Sequence, residues 1–442
     1  MDIRTYAVVP VIIVLTWFVY LALNTNRSYL NGEKHFLKKE LEQVRELLEA
    51  HFESLNVSSN KEIVASKEYT DLEVIYKERA ERVRKACYGR ETEMKGKLHP
   101  TQVNHNIIID KVWKVAYCPI EKTASTFWRR IMRIVVGDIH ASSPFDDSVM
   151  AFASFDSLAS VPKDAIEAFM NESLTFMFVR EPYGRLLSAY VDKLFSPNLF
   201  FWKIYGGFAV DVTRNQSSTR CGHDLTFREF VKTVLYAEEH NIKRNGHFTP
   251  SYEHCDPCKY NWKVIGALET LPQDVFYILN RMGRTDLKRS LEKEFREQYL
   301  NDTITDQFNW LFEFKKNYAS ECNVTLYEAQ LRLWKQFQIR GVLTKEIKFP
   351  ISAEESENLT KEQLKRIVYN AMGNAETRAR AKLNKKEAFL EAYATIDAED
   401  LEKLSELFRP DCELYGYDCR PSKLFKMNRA EVSPWFFKMD HM

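Results

Sequence analysis

Two short polar segments of this sequence carry the residue types that bind phosphate or sulfate. Residues 122–126 (KTAST) supply a lysine and three hydroxyls, and residues 180–184 (REPYG) begin with an arginine. A lysine provides a point charge, whereas the planar guanidinium of arginine can donate two parallel hydrogen bonds to one phosphate. Where such a segment opens a helix, the first backbone N–H groups and the helix dipole also attract anions. Two such segments predict a nucleotide with phosphates at both ends.

Each polar segment lies between an apolar run and a helical pattern. The runs at residues 114–118, 174–179 and 264–268 are each followed by polar residues and then by a helix. Strands that alternate with helices predict an α/β layer with a parallel sheet. The carboxyl ends of such strands share one edge, where ligands bind, so the two polar segments are expected to meet there.

The rest of the chain is predicted to be mainly helical. Residues 286–408 are charged and helical in pattern, and residues 413–417, between Cys412 and Cys419, predict a final strand or a clamped tail. A Walker loop of the form GxxxxGK[ST] is absent from the sequence, and Lys122 precedes its small polar residues instead of following a glycine. A kinase-like phosphate site is therefore disfavoured.

The N-terminal residues predict a membrane anchor. Residues 7–23 contain no charged side chain, which suits a short transmembrane helix better than a cleaved signal peptide. Asn-x-Ser/Thr glycosylation sites follow this span and place the remaining chain in the lumen. They begin at Asn26, Asn56, Asn171, Asn215, Asn301, Asn323 and Asn358.

Composition and the stem region limit the partners. The chain has 442 residues, 45% hydrophobic content and a net charge of +1, so no bulk field favours nucleic acid. Leucine and valine recur at four-three spacing from residue 37 to residue 55. This pattern predicts a stem helix, compatible with a homodimer through the stem and equally with packing on its own domain.

The cysteine pattern predicts disulfides. There are eight cysteines, an even number, and residues 255–258 form a CxxC pair. Zinc would need two further ligands at similar spacing, and redox chemistry would need a thioredoxin-like context. Structural disulfides in an oxidising lumen are therefore favoured, with their partners left open. No metal site is predicted.

Three ordered sequence blocks resemble the carbohydrate sulfotransferases of the chondroitin 4-sulfotransferase and HNK-1 sulfotransferase type. The blocks are CxxxKxAxTxW from Cys118, FVREPYGRLLSAY from Phe178, and NxHFxP through CxPC to GxxET from Asn245. The LYGY segment at residues 414–417 resembles the closing segment of that family. Departures include Glu121, where a proline is usual, Phe248, where tryptophan is common, and Trp262-Lys263, where Tyr-Asp is typical. The last departure leaves the acceptor preference open.

The resemblance implies a fold, a donor and a set of site residues. It implies a P-loop-kinase-like α/β fold and sulfonate transfer from 3′-phosphoadenosine 5′-phosphosulfate to a glycan hydroxyl, without a metal. The first block would hold the 5′-phosphosulfate and the second the 3′-phosphate. The predicted donor-binding residues are Lys122, Thr123, Ala124, Ser125, Thr126, Phe127, Arg180, Glu181, Pro182, Tyr183, Gly184, Arg185 and Ser188.

The same reaction needs a general base and a group that stabilises the leaving phosphate. Lys122 suits the second role, and His140 or His247 suits the first because imidazole titrates near neutral pH. Two other functions stay open: a membrane-anchored glycan-binding glycoprotein without catalysis, and another nucleotide-dependent transferase.

The predicted domain order follows from these assignments. Residues 1–6 form a cytosolic tail, residues 7–23 the anchor, residues 24–105 a lumenal stem, residues 106–420 the catalytic domain and residues 421–442 a tail. The expected location is the Golgi membrane, in single-pass type II orientation.

Overall fold

The computed structural model describes residues 71–214 and 221–439. The chain divides into two units, Met1–Asp71 and Leu72–Met442, and the second is described below. The predicted anchor and the four-three pattern of the stem lie outside the described residues. Within the described ranges, no helix combines the length and the apolar character needed to cross a bilayer.

A four-stranded mixed sheet forms the centre of the unit, in the order β1-β2-β3-β4. The strands are β1 Ile108–Asp110, β2 Val115–Cys118, β3 Leu174–Val179 and β4 Val264–Ala267. Strands β2, β3 and β4 are parallel, as predicted, but β1 pairs antiparallel with β2. The parallel arrangement predicted for the three apolar runs is confirmed, whereas β1 was not predicted and makes the sheet mixed. The four residues between β1 and β2 allow only an antiparallel hairpin, since a parallel connection needs a crossover of a dozen or more residues.

Helices cover both the sheet and the region beyond it. They are α1 (71–87), α2 Pro100–Asn106, α3 Ser125–Val135, α4 Ile166–Glu172, α5 Pro182–Tyr190, α6 Leu199–Phe201, α7 Gly207–Arg214, α8 Phe227–His240, α9 Tyr252–Cys255, α10 Leu271–Arg281, α11 Thr285–Glu292, α12 Phe295–Glu313, α13 Tyr318–Cys322, α14 Leu326–Ile339, α15 Ala353–Asn358, α16 Lys361–Ala371, α17 Ala375–Ala394, α18 Ala398–Tyr415 and α19 Ser422–Phe425. A π-helical turn, Val191–Phe195, continues α5.

The described part of the predicted stem packs on the sheet domain. Val83 of α1 and Val103 of α2 belong to the same buried apolar cluster as Ala116 and Cys118 of β2. The guanidinium of Arg79 donates to the carbonyl of Ile265 in β4 at 2.7 Å. Residues 72–105 are therefore part of the folded body that carries the site.

The helical region from α12 to α16 has its own apolar core. Trp334 and Phe337 of α14 pack in one buried cluster with Phe308 and Leu311 of α12. A capping box at Thr325 starts α14, because the Thr325 hydroxyl and the Glu328 carboxylate satisfy backbone N–H groups that the helix leaves free. This region is predicted helical and is so in the structure.

The C-terminal aromatic segment is neither a strand nor wholly a tail, because residues 413–415 end helix α18 and residues 416–417 follow it. Helix α18 continues to Tyr415 and ends at Gly416, whose φ of 76° suits a residue without a Cβ. The Cys412–Cys419 disulfide closes this turn. The Tyr417 hydroxyl then donates to Glu269 at 3.2 Å, beside the carboxyl end of β4.

Candidate active site

The loop after β2 presents an uncapped helix N-terminus. Lys122 and Ala124 have φ values of 69° and 68°, so the chain turns sharply before α3. No side chain caps α3, and its first turn holds no acidic residue. The Thr123 hydroxyl donates to the carbonyl of Ile120 at 2.8 Å and tightens the loop. The first N–H groups of α3 are thus free of side-chain partners and suit an anion.

The loop after β3 differs, because its helix caps itself. The Glu181 carboxylate accepts a hydrogen bond from Gly184 N at 2.6 Å, and Pro182 occupies the first helical position. Burial raises the pKa of Glu181, although this backbone bond opposes the shift. The Tyr183 hydroxyl donates to the carbonyl of Cys419. Any anion bound at this loop must therefore rely on side chains and not on the helix N-terminus.

The Arg180 side chain contacts the backbone of the Lys122 loop. A guanidinium nitrogen of Arg180 donates to the backbone carbonyl of Lys122 at 3.3 Å. Burial lowers the pKa of Arg180, and the nearby Glu269 opposes this shift. Ser188, two helical turns further along α5, is half-buried. The two loops predicted to meet at one sheet edge are adjacent in the structure.

Arg185 uses its hydrogen-bond donors within the protein. Its guanidinium donates to three backbone carbonyls, those of Glu121 at 2.9 Å, Thr249 at 2.6 Å and Gly246 at 2.8 Å. The side chain is almost wholly buried. Arg185 therefore joins the Lys122 loop to the third sequence block and has its fork already filled, unlike Arg180.

Lys122 is buried and paired. Its ammonium contacts the carboxylate of Asp192 at 2.8 Å. Burial lowers the pKa of Lys122 to about 8, and Asp192 opposes that shift. For Asp192, burial acts to raise the pKa, but Lys122, Lys193 and Arg340 together hold it well below the usual range. The pair is therefore charged near neutral pH.

The two predicted bases occupy different places. His247 lies among Lys193, Glu121 and Lys122, and burial followed by Lys193 lowers its pKa to about 3. Its Nδ1 contacts the Asn245 side-chain oxygen at 2.8 Å, so Nδ1 carries the proton and Nε2 has the free lone pair.

His140 follows the far end of α3 from Lys122. Helix α3 has 11 residues, which corresponds to about 16 Å at 1.5 Å per residue. His140 is exposed and lines an open cavity of about 360 Å³ with Arg284 and Asp286. The structure therefore groups His247, and not His140, with Lys122.

Glu121, which departs from the family pattern, is directed toward the third block. Its carboxylate lies 3.4 Å from Nδ1 of His254. Burial acts to raise the pKa of Glu121, but His254, His247 and Arg185 lower it overall. The Glu121 carboxylate is thus balanced by neighbours on the protein side of the loop.

Several charged neighbours of the site carry little or no signal in the sequence. Asp192 follows Ser188 by four residues, a spacing that could have indicated it if the α5 pattern is continued past Tyr190; in the structure it lies in the π-helical turn after α5. Arg340 and Lys385 come from the helical region and carry no such signal. Burial, then Arg180 and Arg340, lower the pKa of Lys385 to about 8. Gly341 allows their helices to approach, since a Cβ there would lie 2.8 Å from the Ala381 carbonyl.

Disulfides join the first sequence block and helix α1 to the third block. Cys118, at the end of β2, pairs with Cys255, and Cys87 pairs with Cys258. Cys221, which precedes α8, pairs with Cys322 at the end of α13. The prediction of structural disulfides for the CxxC pair is confirmed. Across residues 71–214 and 221–439, no cluster of three or more metal-ligating side chains occurs.

Comparison with known proteins gives a consistent family. Residues 105–342 match the sulfotransferase family. Carbohydrate sulfotransferase 11 of Rattus norvegicus is 27% identical over 273 residues, 59% of this chain and 75% of that protein. Carbohydrate sulfotransferase 14 of Danio rerio is 30% identical over 192 residues, 43% of this chain and 51% of that protein.

A third relative aligns over a slightly longer part of the chain, whereas no solved structure is similar. Carbohydrate sulfotransferase 10 of Rattus norvegicus is 26% identical over 287 residues, 60% of this chain and 72% of that protein. No solved structure matches the chain. Because the family match covers more than half of the sequence and includes both loops of the site, this chain belongs to the sulfotransferase family and is an enzyme that moves a sulfonate group from a donor to an acceptor.

Proposed function

We propose that the enzyme transfers a sulfonate group from 3′-phosphoadenosine 5′-phosphosulfate to a hydroxyl of a glycan. One observation carries this proposal: Arg180 donates to the carbonyl of Lys122 at 3.3 Å, so two cationic loops flank a single sheet edge. The relatives are carbohydrate sulfotransferases by name, which supports a glycan acceptor.

The residues present fit a donor with an anionic group at each end. The uncapped N-terminus of α3, with Ser125, Thr126 and Lys122, binds the phosphosulfate. Arg180 and Ser188 bind the 3′-phosphate, since the Arg180 guanidinium can donate further hydrogen bonds beside the one to Lys122, and Ser188 lies half-buried on the helix that follows Arg180. Thr123, Ala124 and the residues from Glu181 to Arg185 shape the two loops, and Phe127 anchors α3 in the core.

The proposed reaction is an in-line displacement at sulfur. The acceptor hydroxyl oxygen forms a new bond to sulfur while the bond from sulfur to the bridging phosphate oxygen breaks. The hydroxyl proton passes to a base, and the electron pair leaves with the phosphate of adenosine 3′,5′-bisphosphate. The Lys122 ammonium and the N–H groups of α3 stabilise the charge that grows on this oxygen.

His247 is the proposed base. Asn245 fixes its tautomer so that Nε2 is free to accept a proton. The imidazole is neutral in the ligand-free protein, because burial and Lys193 lower its pKa to about 3. A bound polyanionic donor adds negative charge nearby and raises this pKa toward neutrality, which makes proton acceptance easier.

The proposed location is the Golgi membrane, with residues 7–23 as a type II anchor and the catalytic domain in the lumen. The part of the predicted stem (residues 24–105) that precedes residue 72 can pair in a homodimer. Three predicted glycosylation sites, Asn171, Asn323 and Asn358, are exposed, and Asn301 is half-buried. Four disulfides further support an oxidising compartment.

A transfer assay tests the proposal. The purified protein is incubated with donor carrying radiolabelled sulfur and a panel of desulfated glycans, and label in the glycan is measured. We expect transfer to at least one glycan and competition by adenosine 3′,5′-bisphosphate. A glycan-binding protein without catalysis would bind the glycans but show no transfer and no calorimetric heat with the bisphosphate, which would rule the proposal out.

A further inference from the structure

A chain of hydrogen bonds runs from Lys122 into the helical region. The Lys122 ammonium contacts one carboxylate oxygen of Asp192 at 2.8 Å. The side-chain amide of Gln307 on α12 donates to the other oxygen at 3.1 Å. The amide of Gln336 on α14 donates to Gln307 at 2.7 Å. Each carboxylate oxygen of Asp192 therefore has a partner, which fixes the plane of the carboxylate.

Helix α12 is also attached to the helix that follows the Lys122 loop. Arg130 of α3 forms ion pairs with Asp302 and Asp306 of α12. The ring of Phe127 packs against Tyr299 with centroids 6.1 Å apart. Helix α12 thus contacts both the carboxylate that holds Lys122 and the helix whose N-terminus faces the anion site. Its position sets the geometry of that site.

Lys122 needs the Asp192 carboxylate to stay protonated, because its other charged neighbours favour the neutral amine. Burial, Lys193 and Arg340 all favour the neutral amine, whereas Asp192 favours the ammonium. His247 also faces Lys122 but is neutral near pH 7. A neutral amine does not stabilise a leaving phosphate, so the function of Lys122 depends on its partner.

We propose that Asp192 and Gln307 are positioning residues for Lys122, and that the helical region acts in catalysis through them. Asp192 keeps the Lys122 ammonium charged and aimed, and Gln307 holds the Asp192 carboxylate in place from α12. An ammonium has three N–H donors, so Lys122 can keep the Asp192 bond and still bind oxygens of the sulfonate donor. This inference rests on the proposed role of Lys122.

The test is the pH dependence of kcat/KM for the donor, which reports ionisations of the free enzyme. In the wild type, activity is lost as pH rises above about 8, because Lys122 loses its proton. Asp192→Asn removes the charge that favours the ammonium, so this alkaline limb moves to lower pH. For each pH unit by which the limb moves, the kcat/KM of the variant measured above pH 8 falls about tenfold relative to the wild type at the same pH.

Two further variants complete the test, one as a weaker perturbation and one as a control. Gln307→Ala frees one oxygen of Asp192, and we expect the limb to move in the same direction by a smaller amount. Asp302→Asn is the matched control, because it removes a carboxylate on α12 that pairs with Arg130 and does not contact Lys122. Its alkaline limb is expected to stay in place even where its melting temperature falls.

The outcomes separate this inference from the proposed function. If Lys122→Ala retains full transfer activity, the role of Lys122 itself fails. If Lys122→Ala is inactive but the alkaline limb stays in place in Asp192→Asn and Gln307→Ala, only the positioning role is overturned. An Asp192→Asn variant that fails to fold leaves Gln307→Ala to decide, since Gln307 is only half-buried.

Discussion

The two strand-loop-helix units of the site have the same order of elements but differ in whether a side chain caps the N-terminus of the helix. Helix α3 begins without a side-chain cap, whereas α5 begins with the Glu181 carboxylate bonded to Gly184 N at 2.6 Å. The first unit can therefore bind an anion with backbone N–H groups and the helix dipole. In the second unit the cap occupies this position, so the proposed binding of the 3′-phosphate there depends on the side chains of Arg180 and Ser188.

This difference assigns different chemistry to the two loops. Backbone N–H groups are fixed in position before the reaction, which suits the end of the donor where charge develops. An arginine fork suits a phosphate that only needs to be recognised. Chemistry is thus expected at the Lys122 loop and donor recognition at the Arg180 loop. Each prediction below tests that division.

Replacement of Lys122 by alanine is expected to have the largest effect. Loss of one group that stabilises the leaving oxygen typically lowers kcat by about 100- to 1,000-fold. The transfer assay with radiolabelled donor measures this, and a melting curve checks that the protein is folded. Transfer at the wild-type rate would show that the chemistry lies elsewhere.

A negative charge placed in the first turn of α3 is expected to act next most strongly. Ser125→Asp adds a carboxylate where the donor anion binds, so repulsion should weaken bisphosphate binding by about 10- to 100-fold. The melting temperature should stay the same or rise, because an acid suits a helix N-terminus. Ser125→Asn, of equal size and no charge, is the control for calorimetry. Equal affinities for the two variants would place the anion away from this helix.

The pH profile of the wild-type enzyme provides a third test. Activity needs protonated Lys122, so kcat/KM for the donor should be constant below pH 8 and fall about tenfold per unit above it. Protonation of His247 is not expected to lower kcat/KM between pH 7 and pH 5, since His247 has a pKa of about 3. A base with the ordinary imidazole pKa of about 6.5 would instead cause activity to fall below that pH.

Removal of the cap on α5 is expected to have the smallest effect. Glu181→Ala should lower the free energy of unfolding by about 1 kcal/mol, the usual value of a lost helix cap. Thermal or urea unfolding measures this. Donor affinity should change little, because the anion at this loop is held by side chains. A large loss of donor affinity with unchanged stability would contradict the division of roles.

The sequence predicts the two units well because their signals are local. The β-forming runs before Lys122 and Arg180 and the polar residues after them lie within a few positions of each other. Strand β1 is three residues long and gives too short a pattern to predict. The C-terminal segment around Tyr415 reads equally as strand or tail, and only the tertiary structure shows that α18 includes it.

The charged surroundings of Lys122 could not be predicted for a different reason. Asp192 and Gln307 are 115 residues apart, and their contact depends on how α12 packs beside the π-helical turn. Arg340 and Lys385 likewise come from helices whose sequence pattern shows only an apolar face. Sequence patterns predict elements and their local ends, whereas the pairing of buried charges depends on tertiary packing.

The central claim is that Lys122 and Arg180 hold opposite ends of one nucleotide. It is tested most directly by calorimetric comparison of adenosine 3′,5′-bisphosphate with adenosine 5′-monophosphate, on the wild type, on Arg180→Ala and on Arg228→Ala, an arginine paired with Asp397. We predict that the wild type and Arg228→Ala bind the bisphosphate more tightly and that Arg180→Ala binds both nucleotides equally. A preference that survives in Arg180→Ala would contradict the claim.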